Sequence, residues 1–412
     1  MHIAIIGGGA AGMVTAYLLA GAHRVTLFES QPMLGGNIRT LGKNVACAKL
    51  EPGLTLDAGV IEFSRQNFPL FHKLMTELDV PLMDVPGTTS FINDSGPRLE
   101  SPGNIRRSSY TIPQKLGAYL RLIPMGPARS RFFKRTNNID ATELYDAPLN
   151  HYLDNSHFSQ WCRLLALYAY SIPHKHIGSL PAALAVPTLR AFMQSNDWTA
   201  IKGGVYTYIE HILARADIKV HTNAQINAIQ RSARAISINL SDSQNLNFDA
   251  VVIATPPDQV LGLLAAPTDD ENRRFKAWTA NHATTLVHSD TELYKRRAIT
   301  YYSEFDVFKT KAGENGYNAY LNRLCGIPTS HNVDYSLSYG LDSEIDPAKV
   351  LHKQAHHTPM YTVEALRHRR QVRATNGQNA TYYAGAWLYD GLHEGAIISA
   401  NEVSKLLGGQ QL

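Results

Sequence analysis

A short apolar run, Ile3 to Ile6, leads directly into Gly7-Gly8-Gly9-Ala10-Ala11-Gly12, and a helix-like segment carrying Met13, Ala16, Tyr17, Leu18 and Leu19 follows. Strand, glycine turn and helix in that order restrict the chain to a narrow set of folds. Gly7 permits the tight turn, Gly9 lets the backbone approach a pyrophosphate, and Gly12 lets helix and strand pack closely. The helix start, with Ala10 and Ala11, offers N–H donors and the positive end of its dipole. A second strand, Arg24 to Phe28, ends at Glu29, placing a carboxylate where an adenosine ribose would present its hydroxyl pair. Ser30 and Gln31 follow rather than arginine, so a 2'-phosphate is not expected.

FAD and NAD share this fingerprint, and the rest of the chain chooses between them. Beyond Glu29 come Gly35-Gly36-Asn37-Ile38-Arg39-Thr40 and Asp57-Ala58-Gly59-Val60-Ile61-Glu62-Phe63. Near the far end stand Tyr382-Tyr383-Ala384-Gly385-Ala386-Trp387 and Gly391-Leu392-His393-Glu394-Gly395-Ala396. Together these segments resemble the flavin-containing amine oxidase superfamily. Gly203-Gly204 before a helix, two strands within Val220 to Ile229, and Asp249 to Pro256 resemble its interior cofactor-domain segments. Asn318 to Leu324, the Asp346-Pro347 stretch leading to His357-Thr358-Pro359, and Gly391 to Glu394 are similar to a bacterial group of predicted NAD/FAD-binding oxidoreductases of amine-oxidase-like form.

The resemblance implies an α/β fold with a Rossmann-like FAD-binding domain and a discontinuous α+β substrate domain. The cofactor domain would gather residues 1–75, 198–265 and 370–412, leaving 76–197 and 266–369 for the substrate. FAD would lie extended between the two ends. The implied cofactor contacts, beyond Gly7, Gly9, Ala10, Ala11, Gly12, Glu29 and Ser30, are Gly35, Gly36, Asn37, Ile38, Arg39, Ile226, Ala254, Thr255, Gly385, Ala386, Glu394, Gly395 and Ala396. A helix starting near Gly395 would aim its N–H groups at the flavin edge that gains negative charge on reduction. Attachment is expected to be noncovalent, since the C-terminal block contains no cysteine.

Two departures bear on the reaction. Where better-known amine oxidases carry a lysine beneath the flavin, this chain has Ala283-Thr284-Thr285, and Leu392 stands in place of a tyrosine that helps form an aromatic cage. Both favour an apolar, acyl-like substrate that loses a hydride to flavin N5, with oxygen or another acceptor reoxidising the flavin. Amine oxidation, FAD-dependent double-bond isomerisation and a non-catalytic flavoprotein remain the alternatives. His393, Tyr389, Trp387 and Tyr302 are the candidate catalytic or pocket-wall residues; for His393 a structural hydrogen bond is an equal reading.

The 412 residues carry 39 basic and 35 acidic side chains, a net +4, too mild for the whole surface to bind nucleic acid. The charge is unevenly spread. Between Arg98 and Arg135 nine basic residues stand against Glu100 alone, interleaved with Leu116, Tyr119, Leu120, Leu122, Ile123, Met125, Phe132 and Phe133. That stretch is a candidate membrane surface, with a solvated face over core positions as the plain alternative; no nucleic-acid reader motif accompanies it. Cys47, Cys162 and Cys325 form neither a disulfide framework nor a zinc spacing, and His174, His176, His352, His356 and His357 lack clustered acidic partners, so no metal is expected. With no room for a secretion signal before the first strand and no spanning apolar run, a cytoplasmic location is expected.

Overall fold

A computed structural model describes residues 1–93, 98–137, 143–232, 235–310 and 313–412. Its centre is a sheet of five parallel strands in the order Ile218–His221, Arg24–Phe28, His2–Ile6, Ala250–Ile253 and Thr381–Tyr383. The middle strand sets the register, with Ile3 opposite both Val25 and Ala250. Apolar residues fill both faces of strands 2–6 and 250–253 because helices cover them on each side, as parallel sheets require. The helix Ala10–Ala20 buries eight of its eleven residues and packs against the final helix, His393–Leu407. The tail then returns to it: Gln410 N–H donates to Leu18 O at 2.8 Å.

A seven-stranded mixed sheet forms the second body. Its order is Val350–Pro359, Ala280–His288, Ser336–Tyr339, Asn315–Tyr320, Phe305–Lys309, Thr89–Ile92 and Leu99–Glu100. A smaller antiparallel sheet of Glu62–Ser64, Trp198–Ile201 and Leu82–Val85 stands apart from both. A helix over Pro69–Glu77 stops before Asp79, which takes a left-handed conformation (φ 52°). The two strands expected within Val220 to Ile229 belong to different sheets: Ile218–His221 to the parallel one, and Ile226–Arg231 to an antiparallel meander with Ile236–Leu240 and Asn245–Phe248. His352 and His356, four apart in sequence, lie on a strand rather than a helix.

The meander is tied to the parallel sheet through Glu271. Its carboxylate closes a capping box with Thr268, takes a bidentate pair from Arg231 (2.5 and 2.8 Å), and accepts the Tyr383 hydroxyl at 2.9 Å. Burial pushes the Glu271 pKa up, but these donors together hold it down to about 2. A depressed carboxylate adds stability above its ordinary value of 4.5 that is lost as pH falls toward 2. Glu271→Gln is therefore expected to lower stability at pH 7 and flatten the acid limb below pH 4.5, read by thermal melts across pH.

Candidate active site

The glycine turn, the second strand and the Gly35-Gly36 loop meet at the carboxyl ends of the parallel strands, where open α/β sheets bind ligands. A Cβ on Gly12 would stand 1.9 Å from Gly7 O, so the helix can lie this close to the strand only with glycine there. Gly35 N–H donates to Gly8 O at 2.8 Å, and a Cβ on Gly36 would sit 2.9 Å from Gly9 Cα. The two glycine loops thus touch backbone to backbone. Ala10 and Ala11 open a helix with no capping side chain and no acidic residue in its first turn. Its leading N–H groups have no acceptor within the helix, the arrangement that suits a pyrophosphate.

Glu29 accepts from Gly8 N–H at 2.7 Å on one oxygen, and from Gln31 N–H at 2.8 Å and the Ser30 hydroxyl at 3.3 Å on the other. These bonds fix a carboxylate that retains acceptor capacity for a ribose diol. Ala224 N–H donates to Glu29 O, and Asn223 N–H to Gln31 O, so the segment leading into Ile226 runs beside that carboxylate. Ala254 and Thr255 press on Gly7 from the neighbouring strand. The chain's own backbone is shaped for an adenosine diphosphate.

Further along, Asn37 donates from its side-chain amide to His357 O at 3.1 Å, and a Cβ on Gly59 would stand 2.3 Å from Asn37 O. Ile38 is buried, and Arg39 reaches back to Leu34 O at 3.2 Å. Asp57 is enclosed by the Thr40 hydroxyl and the Val205 N–H, with burial lifting its pKa to about 7. On the seven-stranded sheet, Thr285 donates to Ala58 O at 2.7 Å and meets His356 Nε2 at 2.9 Å. Burial lowers the His356 pKa to about 4, so the ring is neutral. The strand Ala280–His288 carries no lysine.

The C-terminal block joins the sheet through Ala384 N–H to Ile253 O, and Gly385 N–H donates to Ser399 Oγ at 2.8 Å. Ala386 O receives Gly391 N–H, folding the loop back on itself, and Ala396 is buried in the first turns of the final helix. Here the structure corrects several side-chain expectations. The Gly395 N–H is already taken by Asp390 Oδ1 at 2.9 Å, which also accepts Leu392 N–H. The helix start is thus capped from within the chain, leaving the His393 and Glu394 N–H groups as its free donors. The Glu394 carboxylate turns instead to the start of helix Pro69–Glu77, accepting Leu70 and Phe71 N–H at 2.8 and 3.0 Å.

The four catalytic candidates are not brought together. His393 is closed in by Phe63, Phe71 and Tyr208, meets the Tyr208 hydroxyl at 3.0 Å, and is lowered by burial to a pKa of about 4. Trp387 packs between Phe275 and Trp278. The Tyr389 ring lies under the Arg373 guanidinium, and Tyr302 stacks on Tyr294 in a separate apolar cluster with Phe308 and Leu341.

The sequence reading passed over Glu62. It stands buried on the strand Glu62–Ser64, and its Oε1 accepts the Tyr168 hydroxyl at 2.7 Å while Oε2 is buried without a partner. Burial is the main force lifting its pKa, to about 8, against the Tyr168 hydrogen bond. Tyr168 also lines a narrow crevice, about the size of one water, with Thr89, Ser90, Phe91, Trp161, Leu164, Leu165 and Val307. A lone carboxylate in the otherwise apolar run Val60-Ile61-Glu62-Phe63 was the available signal.

A family model described as flavin-containing amine oxidoreductase matches residues 10–288. The chain belongs to this family. The L-amino acid oxidase Cdc18 of Crotalus durissus cumanensis is 46% identical over 52 residues, 12% of this chain and 10% of that protein. An L-amino-acid oxidase of Siganus canaliculatus is 24% identical over 280 residues, 62% of this chain and 50% of that protein. The chain spans half or less of the length of these curated relatives. Among solved structures, putrescine oxidase bound to putrescine superposes with a TM-score of 0.71 at 12% identity, covering 99% of each chain. A fatty acid isomerase from P. acnes gives 0.66 at 17% identity, covering 98% of this chain and 97% of its own. Identities this low establish the shared fold.

Gly36→Ala is expected to leave the purified protein depleted of flavin, read from its visible absorbance, because the added methyl has only Gly9 backbone to push against. His393→Met is expected to keep flavin content and turnover, as a packing residue should; a selective loss of turnover with flavin retained would return His393 to the chemistry.

Proposed function

We propose that this flavoenzyme dehydrogenates an apolar, chain-like substrate of the acyl class, with the buried pair Glu62 and Tyr168 handling the proton. The observation that carries the reading is Glu62: Tyr168 binds one of its carboxyl oxygens, and the other is buried with no partner among the described residues. FAD supplies the hydride acceptor. Burial around Glu62 keeps water away, which strengthens every electrostatic interaction there. Tyr168 fixes the Glu62 carboxyl through Oε1, so the proton removed beside the departing hydride goes to Oε2 of the ionised form. A pKa near the working pH is what a general base needs. Leu392 and the lysine-free strand Ala280–His288 support an apolar substrate over an amine.

Mixing the enzyme anaerobically with fatty acyl substrates should bleach the flavin, with a reduction rate that rises with pH through about 8 as Glu62 ionises. Glu62→Gln should slow that step by about 100-fold or more while the flavin stays bound. Bleaching by amines alone would overturn the reading; turnover of an unsaturated acyl chain without net bleaching would assign a double-bond isomerisation in its place.

A further inference from the structure

Helices normally turn their apolar stripe toward the protein. The helix Ile112–Leu122 does the opposite: Ala118 is its one buried residue, while Ile112, Leu116 and Leu120 are 84%, 60% and 54% exposed, and Ile123 just beyond is 65% exposed. These four positions, spaced by four, four and three, form one stripe on the side away from Ala118. They are four of the seven exposed large apolar side chains among the described residues.

Cations surround this stripe. Arg106, Arg107, Arg121, Arg129, Arg131, Lys134 and Arg135 are all exposed on it or on the flanking helices Pro102–Arg107 and Gly126–Asn137. No acidic residue occurs in the sequence between Glu100 and Asp140. Arg106, Arg107, Arg129 and Lys134 pair with no carboxylate among the described residues, whereas Arg131 pairs with Asp154 and Arg121 with Glu100. The inner faces are already used: Ala128, Phe132 and Thr136 are buried, and Phe132 packs on Phe158 of the helix His157–Tyr170. The stripe therefore faces outward, and exposed cations stand on the helices to either side of it.

We propose that this face docks on an anionic lipid surface, the stripe entering the headgroup boundary and the cations meeting lipid phosphates. An apolar stripe ringed by cations matches a lipid interface in both chemistries at once. A second copy of the chain is disfavoured because a two-fold contact would set two strongly positive faces against each other. No described helix is long and apolar enough to cross a bilayer, so the contact is peripheral.

The test uses the flavin-loaded protein and sedimentation with vesicles of phosphatidylglycerol or of phosphatidylcholine alone. Binding is expected to the anionic vesicles only, to weaken sharply between about 0.05 and about 0.5 M salt, and to fall more than about tenfold in I112S/L116S/L120S/I123S. The flavin spectrum and thermal transition of that variant, and a second variant, R106Q/R107Q/R129Q/K134Q, separate lost docking from lost folding. No binding to anionic vesicles at low salt overturns the proposal. So does binding that survives in both variants, or self-association in place of vesicle binding that the serine variant abolishes.

Discussion

Close approach of bare backbone at the carboxyl end of the parallel sheet is the constraint on which this protein depends. Gly12 allows the first helix to lie against Gly7, and Gly9 and Gly36 allow two loops to touch with no side chain between them. Both contacts leave N–H groups of a helix start without internal partners, which a dinucleotide's phosphates satisfy. The remaining parts are arranged around that junction. Glu29 closes one end, and the segment 384–396 comes back to the other through strands 250–253 and 381–383.

Much of this was readable from sequence, because a glycine turn between an apolar strand and a helix has few physical uses and a carboxylate at the next strand end has fewer. The side chains of the C-terminal block were harder. His393, Tyr389 and Trp387 stand within a few residues of one another, yet packing sends their rings to three different neighbourhoods, and no spacing rule foretells which of them faces a ligand. Asp390 carried a legible sign, a carboxylate three residues before a helix, but its role as that helix's cap required the loop geometry. The charge of the 98–135 stretch was plain in the sequence, whereas the outward direction of its apolar stripe was not, since periodicity shows that a helix has a face without showing where the face points.

Buried carboxyls recur around the interior, and their partners sort them. Asp57 and Glu394 are each enclosed by backbone N–H donors and hold loops or helices in place. Glu271 is ion-paired and stays charged. Glu62 alone among these four keeps an oxygen that no described residue satisfies. Leaving a buried acceptor unmet costs stability, about 1–3 kcal/mol, and a group retained at that cost is where chemistry is to be sought.

Synthesis runs from the amino end, so the dinucleotide turn at residues 7–12 leaves the ribosome long before its partner strand at 381–383 exists. At about 5–20 residues per second the delay is roughly 20–70 s. During that interval the parallel sheet lacks an edge strand and the final helix is absent from the face of the first. The nascent chain can fold its α/β beginnings, but the cofactor groove closes only after residues 381–407 have been made.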